Sequence, residues 1–187
     1  MKRGLIVFLN GTSSSGKTSI SMELINQKEI MFYHLSIDDF FGQYKDFIHN
    51  NFPDIDLTRE VANVGKILLD PIISVYYATI KLFSEMGLNV IVDKVIDNDK
   101  RFNDYRNLLS DHPTLFVGVL CSKEELTRRE QIRGDRQIGL ANSQYDQVYS
   151  FNEYDLKVNT EELSPTECAE KILSFIKSGQ DYSGLRI

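Results

Sequence analysis

Eight consecutive residues, Gly11-Thr12-Ser13-Ser14-Ser15-Gly16-Lys17-Thr18, constrain this chain more than any other feature in it. They satisfy the pattern G-x-x-x-x-G-K-[ST] in full, and in the context that gives the pattern its meaning. The apolar run Leu5–Leu9 precedes them and reads as a buried strand, while an amphipathic helix from Ser19 to Gln27 follows. Small residues between the two glycines let backbone N–H groups close around a triphosphate. The first helical turn adds its unpaired N–H groups and the positive end of its dipole. Lys17 is then placed to reach the β- and γ-phosphates, and the Thr18 hydroxyl to hold magnesium. The expected nucleotide-binding residues are therefore Gly11, Thr12, Ser13, Ser14, Ser15, Gly16, Lys17, Thr18 and Ser19.

The rest of the chain fits a strand–loop–helix of this kind. Further short apolar runs lie at Tyr33–Ile37, Leu88–Val92, Leu115–Cys121 and Asp155–Val158. They alternate with helical patterns over about 17–27, 71–86, 99–110, 123–133 and 165–177. This alternation predicts a parallel sheet with helices on both faces. Asp70-Pro71 opens one helix with a cap residue and a proline, and Gly87 closes it; Ser164-Pro165-Thr166-Glu167 forms a capping box. The stretches 41–65 and 134–152 show no clean periodicity and are expected as irregular lids or substrate loops.

At 187 residues the chain is expected to form one domain over 1–177, with a lid at about 134–152 and a polar, mobile tail over 178–187. Its net charge of −6 argues against nucleic acid as a partner, since phosphate contacts dominate that affinity. Cys121 and Cys168, with His34, His49 and His112, lack zinc-ligand spacing. Met1-Lys2-Arg3-Gly4 before Leu5–Leu9 imitates a secretory leader, but the apolar run is shorter than the ~7–15 residues such a leader needs. No membrane span is expected, and the location expected is cytoplasmic. Oligomeric state is not legible.

Carboxylates mark the ends of two strands, where ligands bind in open α/β sheets. Asp38 and Asp39 follow the second apolar run and Asp93 ends the third. Transfer to an alcohol needs a carboxylate to take the hydroxyl proton and often a second to position magnesium. Asp38 is expected as the base and Asp93, with Thr18, as the metal-side group; a helix cap for Asp38 or Asp39 and a solvated turn for Asp93 are the competing structural roles. Asp39-Phe40-Phe41-Gly42 also reads as D-x-x-G, but it follows the wrong strand and no N-K-x-D accompanies it. Arg129, Arg133 and Arg136 are spaced by four and three. They share one helical face if the helix runs on to Arg136, but Gly134 is expected to end it, which leaves either a lid whose guanidinium groups cover the nucleotide or a solvated face paired to Glu124, Glu125 and Glu130.

Taken together, these residues resemble the chloramphenicol phosphotransferase-like branch of the P-loop kinases. The likeness rests on G-T-S-S-S-G-K-T-S-I at 11–20, Ile37-Asp38, V-I-V-D at 90–93, V-G-V-L-C at 117–121 and R-R-E-x-x-R-G-D-R at 128–136. Glu153-Tyr154-Asp155-Leu156, Asn159-Thr160 and Ser164-x-x-Glu167-Cys168-Ala169 extend it. The resemblance implies a three-layer α/β sandwich around a five-stranded parallel sheet, with the phosphate-loop strand central and an arginine-bearing lid. It implies ATP and Mg2+ as cofactors and transfer of the γ-phosphoryl group to a hydroxyl of a small molecule. Asp38 would act as base, Lys17 with Arg133 and Arg136 would act on the phosphates, and Arg129 would help bind the nucleotide. The chain departs from the family pattern at Tyr149, where a histidine is expected, at Lys94, where an acid is expected, and at Asn159, where an aspartate is expected. Two other readings stay open: a nucleotide or nucleotide-sugar kinase, and an ATP-dependent switch protein. Phe40, Phe41, Tyr44, Phe47 and Phe52 either line a flat apolar pocket or pack a helix onto the sheet; Tyr76 and Tyr77 are expected in the core or an interface.

Overall fold

A computed structural model describes residues 2–51, 70–134, 138–150, 153–183 and 185. In chain order its elements are β1 (Ile6–Asn10), α1 (Lys17–Asn26), β2 (Tyr33–Ser36), α2 (Ile37–Asn51), α3 (Asp70–Glu85) and β3 (Val90–Asp93). They continue with α4 (Asp99–Leu109), β4 (Thr114–Leu120), α5 (Lys123–Arg133), α6 (Leu140–Val148), β5 (Leu156–Asn159) and α7 (Pro165–Lys177). All strands run parallel in the order β2-β3-β1-β4-β5, so the phosphate-loop strand is central. The expected α/β sheet with helices on both faces is the fold observed. No described helix is long and apolar enough to cross a membrane.

Burial explains why β1 reads as an uninterrupted apolar run. Ile6 and Phe8 face a core shared with Tyr76 and Ile80 of α3 and Phe102, Tyr105 and Leu109 of α4. Val7 and Leu9 face the other core, with Ile20 and Leu24 of α1 and Cys168, Ala169, Ile172 and Leu173 of α7. A strand covered on both faces cannot alternate apolar with polar residues. The helix ends follow their local chemistry. Gly87, at φ 80°, closes α3 in a Schellman turn, its N–H bonding to Ser84 O and that of Leu88 to Phe83 O. Ser164 and Glu167 form the expected capping box, with Pro165 in the first turn of α7.

Three expectations change. Part of the stretch 41–65 is helical, because α2 begins at Ile37 and its Phe40 and Phe41 pack against the α3–α4 core. Phe40 meets Tyr76 edge to face at 5.1 Å. Asp38 and Asp39 fall in its first turn, where the helix dipole favours acids. Part of 134–152 is also helical, as α6. The C-terminal tail packs onto the domain: Leu185 is buried in the α3–α4 core, Tyr182 stacks on Phe175, and Ser183 N–H donates to Asp155 Oδ1 at 2.5 Å. Phe52, also among the aromatics singled out above, lies outside the described residues.

The motif residues of β4 and β5 interlock. The Tyr154 ring lies over Gly118, where an added Cβ would sit 2.9 Å from ring carbons. The ring is fixed at its far end, since its hydroxyl donates to Val148 O at 2.9 Å and accepts from Asn10 Nδ2 at 2.8 Å. Gly118→Ala is therefore expected to lower the unfolding free energy by about 1–3 kcal/mol through overpacking. Urea denaturation measures this, and an unchanged midpoint would mean that the ring can swing clear.

Candidate active site

Strand register gathers the candidate residues at one end of the sheet. Leu9 lies opposite Asp93, Asp93 opposite Ser36, and Leu120 opposite Asn159. The segments leaving these positions are the phosphate loop, Lys94–Asp97, the start of α2, Cys121 and Thr160. They surround a cleft of ≈ 580 Å³, within the ~300–1,000 Å³ range of small-molecule sites.

The phosphate loop holds its conformation through its own backbone and two outside clamps. Gly16, at φ 96°, caps α1, and Ser14 also adopts positive φ. A Cβ on Gly11 would fall 2.6 Å from Val119 O, so only glycine lets the loop leave β1 this close to β4. Thr160 Oγ1, just beyond β5, donates to Ser15 O at 2.8 Å. Arg129 reaches from α5 to Thr160 O at 2.8 Å, Thr160 Oγ1 at 3.0 Å and Ser14 O at 3.5 Å, and binds Glu125 through Nε. Arg129, expected on the nucleotide, thus spends most of its donors bracing the loop. Ser14 Oγ and Ser15 Oγ are buried without a hydrogen-bond partner among the described residues, a lack that phosphate oxygens would fill. Lys17 Nζ donates to the carbonyls of Gly11 and Thr12 at 2.9 and 2.8 Å.

Thr18 and Asp93 meet as the sequence predicts: Thr18 Oγ1 donates to Asp93 Oδ2 at 2.6 Å. Burial would push the Asp93 carboxyl up. The cationic Lys17, the Thr18 hydroxyl and His34 more than offset it, and hold the carboxyl below its usual range. His34 Nε2 lies 3.9 Å from Asp93 Oδ2, beyond hydrogen-bond distance. An ionised carboxylate beside a hydroxyl is a hard-oxygen pair of the kind Mg2+ accepts together with phosphate oxygens.

Asp38 stands across the cleft, exposed in the first turn of α2, where its N–H donates to Ser36 Oγ at 3.3 Å. Asp39 is exposed and does not line the cleft. Beyond Asp38 the wall is made by Phe41, Ile73, Lys94, Asp97 and Arg101. Lys94 is buried, and burial together with the neighbouring Arg101 pushes its ammonium down to about 8 against the pull of Asp97 and Asp38. Sequence reasoning noted Lys94 only as a departure and passed over Asp97 and Arg101, which carry no motif.

The arginine run divides. Arg128 and Arg129 share Glu125, whose carboxyl their hydrogen bonds pull down to about 2. α5 ends at Arg133, with Gly134 in the left-handed region at φ 69°. Arg133 lines the cleft, and Arg136 lies outside the described residues. Glu130, considered above as an arginine partner, is instead fully buried and caps α6. Its two oxygens accept from Gly139 N at 2.8 Å and Ala141 N at 2.7 Å. α6 has no side-chain cap of its own, so its start is visible only once α5 lies beside it. The helix reaches the phosphate loop, with Gln144 Oε1 accepting from Ser13 N at 2.9 Å, and Tyr149 fastens its end to Val119 O at 2.8 Å. Gln144 is a residue of the site that no sequence pattern announced.

A parallel sheet of this order, with a triphosphate loop on its central strand and an acid bonded to the loop's threonine, defines an ATP-dependent P-loop kinase. The chain belongs to the chloramphenicol phosphotransferase-like protein family, whose match spans residues 4–177. Two strains of Mycobacterium tuberculosis carry relatives under the provisional name O-phosphotransferase. Each is 27% identical over 184 residues, a match covering 92% of this chain and 82% of the relative. Among solved structures, the Mycobacterium tuberculosis APS kinase in complex with AMPPNP and APS has the same fold. It superposes with a TM-score of 0.64 at 18% identity, over 95% of this chain and 99% of that one. Acinetobacter baumannii shikimate kinase, in complex with shikimate, gives 0.63 at 14% identity over 96% of each chain.

Removing the Glu130 carboxylate tests the cap on α6. Glu130→Ala leaves two N–H groups without an acceptor and is expected to cost about 1–3 kcal/mol. Hydrogen exchange should accelerate across 139–148 while the sheet amides stay protected; unchanged exchange in α6 would refute the assignment.

Proposed function

We propose that this protein transfers the γ-phosphoryl group of ATP to a hydroxyl of a small molecule, with Asp38 as the base. The observation that carries this reading is the position of Asp38, a carboxylate on the wall of the cleft that also holds Lys17, Thr18 and Asp93. In the reaction, Asp38 takes the proton of the acceptor hydroxyl. That oxygen bonds to the γ-phosphorus as the bond from phosphorus to the ADP oxygen breaks.

The remaining roles follow from placement. The phosphate-loop amides and Lys17 bind the phosphates and neutralise the charge that develops on the leaving ADP. Thr18 and Asp93 would hold Mg2+, which when bound draws charge from the phosphate oxygens. Arg133, and Arg136 beyond it, would act on the transferring group from a lid over about 134–152 that includes α6. Residues 1–177 would work as one kinase domain.

An acceptor screen tests this directly. The protein, γ-labelled ATP and Mg2+ are incubated with hydroxylated metabolites, nucleotides and antibiotics including chloramphenicol, with Asp38→Asn alongside. Transfer to an acceptor should fall about 10²–10⁴-fold in the variant, with ATP affinity retained. Undiminished turnover by Asp38→Asn would remove Asp38 from the mechanism. In the same assay, Asp93→Asn should raise the Mg2+ concentration needed for half-maximal rate about 10–100-fold; an unchanged requirement would place the metal elsewhere.

A further inference from the structure

The acceptor side of the cleft contains a cation to which no protein oxygen among the described residues is hydrogen-bonded. At the end of β3 the side chain of Asp93 meets Thr18 of α1, and that of the next residue, Lys94, meets α3. Lys94 is 8% exposed, and that exposure opens into the cleft. Among the described residues, the contacts of its ammonium are ring faces, 5.7 Å to the Tyr76 centroid and 5.4 Å to that of Tyr77. Ring faces answer the charge but accept no ordinary hydrogen bond, so among the described residues no protein oxygen serves the three N–H donors that face the cleft.

The nearby carboxylates do not fill this gap. Asp97 Oδ1 is committed to Arg101 at 2.5 Å and to Asn98 Nδ2 at 2.8 Å. Asp38 and Asp97 act on Lys94 through space, as does Arg101, which lines the same wall. Two cations facing one cleft repel each other, and an ammonium largely withdrawn from water is costly unless an anion answers it. A purely structural residue between Tyr76 and Tyr77 would serve better as methionine, which packs equally well and needs no acceptor.

We propose that Lys94, with Arg101 beside it, binds an anionic group of the acceptor, so that the substrate is a hydroxylated carboxylate, phosphate or sulfate. The anion would sit against Lys94 and Arg101, and the hydroxyl would lie toward Asp38 on the same wall. Assigning the anion to the acceptor rests on the kinase reading above; the anion site itself does not.

Two measurements on the full chain separate these claims. With AMPPNP and Mg2+ filling the phosphate loop, sodium sulfate is titrated calorimetrically into the wild type, Lys94→Met and Lys94→Arg. Wild type should bind sulfate, Lys94→Met about 10–100-fold more weakly, the factor lost with one charge-assisted hydrogen bond, and Lys94→Arg should recover part of it. No binding by wild type, or equal affinity in all three proteins, overturns the proposal.

In turnover, hydroxy acids and phosphate monoesters are each paired with a neutral ester or amide. The charged member alone should be phosphorylated, and Lys94→Met should raise its KM about 10–100-fold without moving the KM for ATP. Equal use of neutral acceptors, or a matching rise in the KM for ATP, would overturn the assignment; the latter would place Lys94 on the donor phosphates. If sulfate discriminates among the variants but nothing in the panel is phosphorylated, the anion site stands and the kinase reading loses support.

Discussion

Alignment of the strand ends is the constraint on which the rest of this molecule depends. Parallel pairing sets Leu9 beside Asp93 and Asp93 beside Ser36, so three chain segments turn off the sheet at one level. One of them forms the phosphate loop, one supplies an acid within 2.6 Å of the loop's threonine, and one starts the helix that bears Asp38. A slip of one residue in β3 would turn Asp93 to the opposite face.

Holding the loop open to a ligand while keeping it ordered is a separate problem, solved from the far edge of the sheet. Thr160 and Arg129 grip the carbonyls of Ser15 and Ser14. Arg129 depends on Glu125 for its orientation. The start of α6 repeats this logic with a different group, since the buried Glu130 fixes it and α6 brings Gln144 to Ser13. One face of α5 thus organises the loop and the next organises α6, which explains the charged pair Arg129 and Glu130 within R-R-E-x-x-R.

The two walls of the cleft differ in character. Near the loop, polar groups are paired to one another or turned to the phosphates' position. On the α3–α4 side, Lys94 sits over tyrosine rings and Arg101 is held by Asp97. That asymmetry suits a donor bound largely by backbone and an acceptor selected by side chains, the part of the chain in which relatives with one chemistry are free to differ.

Much of this was legible from residues alone, because some information is local. The phosphate loop needs small residues in a fixed order between a strand and a helix. Doubly covered strands need unbroken apolar runs, and Gly87 and Ser164–Glu167 terminate helices by bonds spanning a few residues. The start of α2 was also legible, since Ile37, Phe40, Phe41, Tyr44, Phe47 and Ile48 recur at helical spacing; reading Ile37 as the end of a strand concealed it. Other features had no local signal. α6 is capped by a carboxylate nine and eleven residues away, on another helix. The C-terminal segment looks polar until Leu185 meets the core, and the hold of Arg129 on the loop shows only once Thr160 lies beside it. Lys94, Asp97 and Arg101 form a wall only because β3 and α4 meet there. The sequence by itself determined the sheet, the phosphate loop and the chemistry of phosphoryl transfer, since these rest on backbone periodicity and short-range spacing. Tertiary structure decided which charges are partnered, which are buried and what the acceptor wall presents, because those properties belong to residues brought together from separate elements.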